Sequence, residues 1–303
     1  MQNYDIQIDA QQKERTQHGS FDFPFAVYEN QLSRNVLGYI NWHWHEELQF
    51  SFVTHGSVKF YVEQTCITLQ VGQGIFLNRA VLHSIHPTEE SDSTYVCVDF
   101  HPSLLTGFPG SRINQRYVQP YLQDRAFNSK LLTADTPAGM KILDELSQAK
   151  KLADLQPPGC ELSIWIHLLT IWKLLIQLQP EKTLSIAIPE QDRERLKLLL
   201  SLVQERYQEK IVLQDFAEAV HLCSSECCRL FKRYMHTTIF DYLIDYRIER
   251  SIAALLTTDA SVSRIAYDYG FGTTSYYISR FRRKTGHTPL AFRRRNAQSP
   301  APN

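Results

Sequence analysis

Hydrophobic and polar residues alternate along much of the chain between residues 21 and 108. The runs LQFSF at 48–52 and VKFYV at 58–62 repeat with a period of two, which is typical of strands with one buried face. Glycines separate such runs at short intervals, as they do between the strands of a small antiparallel barrel or sandwich. This part of the chain is therefore predicted to be all-β.

The hydrophobic period changes to three and four residues over 137–151 and 159–179, which predicts two helices. In the second helix, Leu162, Ile166 and Leu169 follow one stripe and Leu168 and Trp172 another, so that little polar surface remains. We expect this helix to pack against its own barrel on one side and against a second copy of the chain on the other. Its apolar stretch at 164–178 carries His167 and Lys173 and is too short for a membrane span, so we expect no membrane contact.

Helical periodicity then continues from residue 189 to 295, after a predicted linker at 180–189. The expected fold class is α+β multidomain. It has an antiparallel β-barrel at 1–125, a helical dimerisation and linker segment at 126–188, and an all-α domain at 189–303.

The balance of acidic and basic residues also changes at about residue 189. Of its 303 residues, 43% are hydrophobic and 21% are charged, a globular balance that excludes a collagen-like or disordered chain. The formal net charge is zero, but the two parts differ in sign. Residues 1–188 contain 14 Lys and Arg and 19 Asp and Glu, whereas residues 189–303 contain 18 Lys and Arg and 13 Asp and Glu. The basic second part points to a polyanionic partner.

The N-terminus has no basic region followed by an apolar one, so we predict a cytoplasmic protein. The six cysteines lack paired C-x-x-C spacing and are interpreted as free thiols.

Residues 211–233 have the pattern of a helix-turn-helix, with a short helix at 213–220, a turn at 221–223 and a second helix from about Ser224. The spacing directs Ser225, Arg229 and Lys232 outward. In such motifs the second helix enters the major groove, where Arg can donate two hydrogen bonds to guanine. An ordinary pair of antiparallel helices with a basic surface has the same spacing.

A second unit repeats this pattern about fifty residues later. The sequence Phe231-Lys-Arg ends the first predicted reading helix, and Phe281-Arg-Arg ends the second. The helix at 239–256 between them is long enough, at about 1.5 Å per residue, to place two reading helices about one DNA turn apart.

The second unit resembles the AraC/XylS family of transcription regulators. The resemblance is carried by Ile265-Ala266, Gly270-Phe271, Ser275-Tyr276-Tyr277, Phe281, Gly286, Thr288-Pro289 and Phe292-Arg293. The family pattern places Arg two residues before Phe281, where this chain has Ser279, and Arg280 is rotated away by about 100°. The candidate DNA-binding residues are Ser224, Ser225, Glu226, Arg229, Lys232, Arg233, Thr273, Thr274, Ser275, Ser279, Arg282 and Arg283.

The β part is similar to the cupin sensor of that family, with Gly38, His43, His45, Gln49 and Gly56, then Gly72, Asn78 and His83. In metal cupins a Glu stands where this chain has Gln49. A neutral amide binds a cation more weakly than a carboxylate does, and neither Glu46 nor Glu47 restores the spacing. We therefore expect no metal and no cofactor; a metal-free ligand pocket is favoured over a metal site and over core histidines without a ligand. The candidate ligand-binding residues are His43, His45, Gln49, Tyr61 and His83.

The resemblance implies a ligand-responsive activator. It would be a homodimer that binds double-stranded promoter DNA, contacts RNA polymerase, responds to a small-molecule effector and reads two successive major-groove segments with each subunit. The alternative is a cupin-type metal-dependent enzyme with an accessory helical domain. We expect no enzyme and no catalytic residue, because the chain has no recognisable catalytic triad, P-loop or G-x-G-x-x-G.

Overall fold

Two compact units make up the chain. A computed structural model describes residues 6–297 apart from residues 10, 36, 89–91, 109 and 179–188. The described residues of the first unit end at 178, and those of the second begin at 189. Of the linker predicted at 180–189, only Pro189 lies within the described residues.

Nine antiparallel strands in the described residues form the two sheets of the first unit. The strands are β1 Phe25–Gln31, β2 Ile40–His43, β3 Leu48–His55, β4 Ser57–Val62, β5 Thr65–Gln70, β6 Gly74–Leu77, β7 His83–Pro87, β8 Thr94–Phe100 and β9 Ser129–Leu132. One sheet has the order β1-β8-β3-β6-β9 and the other the order β2-β7-β4-β5. The predicted antiparallel, cupin-like β-domain is thereby confirmed.

Strand β3 shows why this domain has two cores. Phe50 and Phe52 point to the side covered by helices, whereas Gln49, Ser51 and Val53 alternate with them and point between the sheets. Every residue from 48 to 53 is buried, so a strand that alternates in sequence is covered on both faces. The polar side chains of Gln49 and Ser51 therefore lie in the barrel interior.

Helices close the outer face of the five-stranded sheet. They are α1 Ser103–Thr106, a π-helical turn Asn114–Val118, α2 Gln119–Gln123, α3 Pro137–Leu155 and α4 Cys160–Gln177, with 3₁₀ turns at Leu32–Arg34 and Arg125–Phe127. The helices predicted at 137–151 and 159–179 correspond to α3 and α4. The segment predicted as helical from 126 also contains β9, which pairs with β6 and extends the sheet.

Helix α4 has a buried face and an exposed apolar face. Leu168, Trp172 and Leu175 are buried with the aromatic side chains of the sheet, and the Trp172 ring contacts Phe76 edge-on. Leu162 and Ile166 on the other side are each 64% exposed. Within the described residues α4 is also the one helix long and apolar enough to cross a membrane, a test that the core helix of a folded domain passes as well.

The second unit is all-helical over its described residues. Its helices are α5 Glu190–Arg206, α6 Leu213–Ala219, α7 Ser224–Met235, α8 Ile239–Thr257, α9 Val262–Asp268, α10 Thr274–Thr285 and α11 Pro289–Ala297. Thr238 and Ser261 cap the starts of α8 and α9, and their hydroxyls accept from Asp241 N (3.1 Å) and Arg264 N (3.1 Å). The first helix starts at Glu190, directly after Pro189.

An internal repeat organises this unit. Helices α6 and α7 recur as α9 and α10 some fifty residues later, and α8 connects the two pairs. An arginine holds the helix ends in each half: buried Arg247 donates to Glu209 O (2.7 Å), and half-buried Arg293 donates to Leu255 O (2.8 Å) and Ala260 O (2.7 Å). The repeat inferred from the sequence is thus present as two similar three-dimensional units.

Candidate functional sites: a DNA interface and a histidine cluster

Helices α6 and α7 form the first helix-turn-helix. Phe216 and Ala217 of α6 and Cys227 and Phe231 of α7 are buried, so the two helices share a core. On the opposite side of α7, the exposed side chains are Ser225, Glu226, Arg229, Lys232 and Arg233, while Ser224 is half-buried. The sequence prediction of an outward, mostly basic surface on this helix agrees with these exposures.

The start of α7 is capped differently from the start of α10. Cys223 is the residue before α7, and its backbone N–H donates to Glu226 Oε2 (3.4 Å). Hydrogen bonding by Cys223 lowers the pKa of Glu226, which keeps this carboxylate charged. At α10 the Thr273 hydroxyl accepts from Tyr276 N (3.2 Å) in the ordinary way. Glu226 therefore has a capping role at the end of the reading helix.

Helices α9 and α10 form the second helix-turn-helix around buried Ile265, Phe271, Tyr277 and Phe281. The exposed candidates are Thr273, Ser275, Ser279, Arg282 and Arg283, and Thr274 is half-buried.

Two further cations of α10 bind the connecting helix instead. Arg280 Nη2 lies 3.0 Å from Asp241 Oδ1, and Lys284 forms an ion pair with Asp245. As the sequence predicted, Arg280 does not take the place of the arginine that the family pattern has at Ser279.

A cluster of histidines occupies the barrel interior. His43 and His83 are partners in the pairing of β2 with β7, and His45 follows in the connection to β3. A ring nitrogen from each of these three residues lies within 4.8 Å of the others, and all three side chains are buried. Gln49 extends from β3 to the same place, with Oε1 2.8 Å from His45 Nε2 and Nε2 2.9 Å from Ser51 Oγ.

Backbone carbonyls fix the orientation of all three rings. The Nδ1 atom lies 2.8 Å from Asn41 O in His43, 3.1 Å from Glu47 O in His45 and 2.9 Å from Val81 O in His83. A carbonyl oxygen only accepts, so each Nδ1 carries the proton. Burial lowers the pKa of His43 to about 4 and that of His83 well below its ordinary value, which makes both rings neutral at pH 7.

A carboxylate from the N-terminal segment borders the cluster. Glu14 is buried, with Oε2 3.8 Å from His43 Nε2 and 3.5 Å from His18 Nε2. Burial alone raises its pKa, but the contact with His18 and the other histidines outweighs burial and lowers it to about 2. Burial conversely lowers the pKa of His18, and its contacts with Glu14 and Asp99 outweigh that and raise it to about 9. Glu14 and His18 therefore form a buried ion pair.

Tyr61 is the predicted ligand-binding residue that the structure does not bring to the cluster. In the register of β4 with β7, Val62 pairs with His83 and Tyr61 pairs with Ser84. Side chains alternate along a strand, so Tyr61 lies on the opposite face, where its ring contacts His86 at 5.0 Å. Conversely, Glu14 and His18 were missed, because they precede the strands and no periodic pattern connects them to the barrel.

Two family profiles match the chain. Residues 34–151 match the AraC-like ligand binding domain, and residues 216–295 match a helix-turn-helix domain. Over 294 residues the chain is 33% identical to YdeC of Bacillus subtilis (strain 168), an uncharacterised HTH-type transcriptional regulator; the match covers 96% of this chain and 98% of YdeC.

More distant relatives match less of the chain or at lower identity. The HTH-type transcriptional activator RhaR of Mannheimia succiniciproducens is 31% identical over 104 residues, which are 34% of this chain and 38% of RhaR. The solved structure of an apo ToxT variant from Vibrio cholerae is 13% identical, with a TM-score of 0.42, over 91% of this chain and 98% of ToxT.

The two units define a DNA-binding transcriptional regulator with an N-terminal ligand-binding domain. The chain belongs to the AraC family of these regulators.

Proposed function

We propose that this protein binds double-stranded DNA in a sequence-specific manner through helix α7. The observation that carries the proposal is the surface of α7, where Arg229 and Ser225 are exposed one turn apart on a helix-turn-helix whose other face is buried. Arginine on such a helix can read guanine with two hydrogen bonds, while Lys232 and Arg233 neutralise phosphates.

The second unit extends the reading to a second major-groove segment. Helix α10 exposes Ser275, Ser279 and Arg282 along one stripe, and α8 connects it to the first unit. Because Ser279 replaces an arginine of the family pattern, α10 contributes fewer base contacts and relies more on Arg282 and Arg283 at the phosphates.

The N-terminal unit supplies regulation in this proposal. An effector is held in the barrel at His43, His45, Gln49 and His83, and it favours one dimer arrangement over another. The chain acts as a cytoplasmic homodimer and as an activator that contacts RNA polymerase, and it catalyses no reaction. The buried histidines and the DNA-reading helices together support regulation better than the metal-dependent enzyme that the cupin resemblance also allowed.

A selection experiment followed by two matched variants tests the DNA-reading proposal. The full-length protein is used to enrich binding sites from random duplexes, and the affinities of Arg229→Ala and Lys232→Ala are measured on the enriched site and its single-base variants. Arg229→Ala should lose about 1–3 kcal/mol at a subset of base positions, and Lys232→Ala should weaken every duplex alike.

Arg280→Ala is the control variant, because Arg280 pairs with Asp241 and should leave the base preference unchanged. If Arg229→Ala keeps the full preference of the parent protein, α7 does not read bases.

A further inference from the structure

The three histidines of the barrel converge as metal ligands do. Even if all three nitrogen separations equal the 4.8 Å limit, the point equidistant from them lies about 2.8 Å from each. A bond of about 2.0–2.1 Å from imidazole to zinc then requires each ring to move by about 0.7 Å at most. Such movements are within the reach of small side-chain rotations.

Hydrogen bonding leaves the Nε2 lone pairs of His43 and His83 available to a metal. Their Nδ1 protons are donated to backbone carbonyls, and such a hydrogen bond is what orients the ring of a metal-binding histidine. Among the residues that the structure describes, no hydrogen-bond partner reaches the buried Nε2 of His83. A buried nitrogen lone pair without a partner is costly, and an ion between the rings would satisfy it.

An anionic donor reaches the cluster from outside the strands. Gln49 stands where metal cupins have a glutamate, but Glu14 Oε2 lies 3.8 Å from His43 Nε2. The backbone fixes this approach, since Glu14 N donates to Trp44 O at 2.9 Å. Glu14 therefore supplies the carboxylate that the strand lacks.

We propose that the first unit binds one divalent transition-metal ion of the zinc type, with His43, His45 and His83 as nitrogen ligands and Glu14 as the carboxylate ligand. Three imidazoles and one carboxylate suit zinc and related ions rather than magnesium or calcium. Binding through His45 Nε2 replaces the contact of this atom with the Gln49 amide oxygen, which stays as a neutral neighbour. The metal site is argued from residues of the first unit alone. The further inference that the ion is the effector rests on the proposed function.

Equilibrium dialysis of the chelator-treated full-length protein against Zn²⁺, with metal analysis, tests the site. The same protein titrated with Co²⁺ reports coordination through its visible d–d absorption. One equivalent of ion and a new visible band are expected. His83→Ala should abolish both, and Glu14→Gln should weaken binding about tenfold or more. Gln49→Glu should strengthen binding.

His55→Asn is the matched control, because His55 is an exposed histidine at the end of β3, and this variant should bind as the parent protein does. Circular dichroism confirms that each variant is folded. The parent protein by itself can overturn the proposal. It would do so if, after dialysis against Zn²⁺, it held no more zinc than before dialysis and showed no Co²⁺ band. Unchanged affinity in Glu14→Gln would overturn the role of the N-terminal carboxylate.

DNA binding is measured separately, on the enriched duplex with and without Zn²⁺. A changed affinity supports the ion as effector, and an unchanged one overturns that role. Ion binding without any DNA binding would overturn the proposed function and uphold the metal site, whereas DNA binding without ion uptake would overturn the metal site alone.

Discussion

Gly270 shows how a single residue holds the second helix-turn-helix in place. Its φ of +76° is left-handed, and a Cβ there would lie 2.7 Å from Tyr207 O and 2.8 Å from Gln208 O. A side chain at this position is thus opposed both by the backbone conformation and by the space.

Gly270→Ala should lower the free energy of unfolding of the helical unit by about 2–3 kcal/mol. Gly286→Ala is the matched control: its φ is +75°, but nothing among the described residues lies within 4 Å of the new Cβ, so a loss of about 1 kcal/mol is expected. Urea unfolding of the full-length variants measures both. Equal losses would mean that the close approach of Tyr207 and Gln208 is unimportant.

Residues of the barrel show where sequence reasoning succeeds and where it fails. His43, His45, Gln49 and His83 could be found because they follow the spacing of the cupin motif that the chain resembles. Glu14 could not, because only the fold brings the N-terminal segment beside Trp44. Tyr61 was misplaced because alternation fixes which residues share a face but not which face is inside, and the register with β7 decides that.

At the scale of elements, α4 combines a core face with an exposed apolar face. Replacing Leu162 and Ile166 together with Glu should disrupt the proposed dimer without unfolding the protein, because both side chains are 64% exposed. Leu168→Ala should instead cost about 2–5 kcal/mol of stability, since Leu168 is fully buried. Analytical ultracentrifugation and thermal unfolding distinguish the two effects; a double variant that stays dimeric would place the dimer interface elsewhere.

The pairing of α3 with α4 depends on pH through Glu145. Burial raises the pKa of this carboxyl, but hydrogen bonds from His167 and Lys141 outweigh burial and lower it below its ordinary value of 4.5. Because the folded-state pKa is the lower one, the stabilisation is present above about pH 4.5 and is lost as the pH falls through the folded-state value.

Glu145→Gln should therefore cost about 1 kcal/mol at pH 6–7, and the difference from the parent protein should disappear in acid. Asp144→Asn is the control, because the Asp144 side chain is 53% exposed in its pair with Lys141 and should contribute little at any pH. Thermal unfolding between pH 3 and pH 7 measures both. A constant difference across that range would contradict the assignment.

Elements were predicted well where the period was long and uninterrupted, as in α3, α4 and α8. Strand β9 was not predicted, because its four residues carry too short a pattern and it joins the sheet only by pairing with β6.

At the scale of the whole molecule, the charge asymmetry of the sequence becomes a basic reading surface. Helices α7 and α10 expose five cations, namely Arg229, Lys232, Arg233, Arg282 and Arg283. Arg229 is proposed to read bases; if each of the other four cations neutralises one phosphate, the logarithm of the binding constant should fall with the logarithm of salt concentration at a slope of about −3 to −4 per chain. Lys232→Ala should reduce that slope by about 1. A slope near −1 in the parent protein would show that these side chains do not contact the DNA backbone.

Helix α8 joins the two reading units covalently across 19 residues, or about 28 Å. Once the first unit is bound to DNA, this tether gives the second an effective local concentration in the millimolar range, with no diffusional search of its own. The second unit can therefore bind DNA even when its own affinity for DNA is weak. The tether thus explains in physical terms how a serine at position 279 can persist in a helix whose first copy carries Arg229.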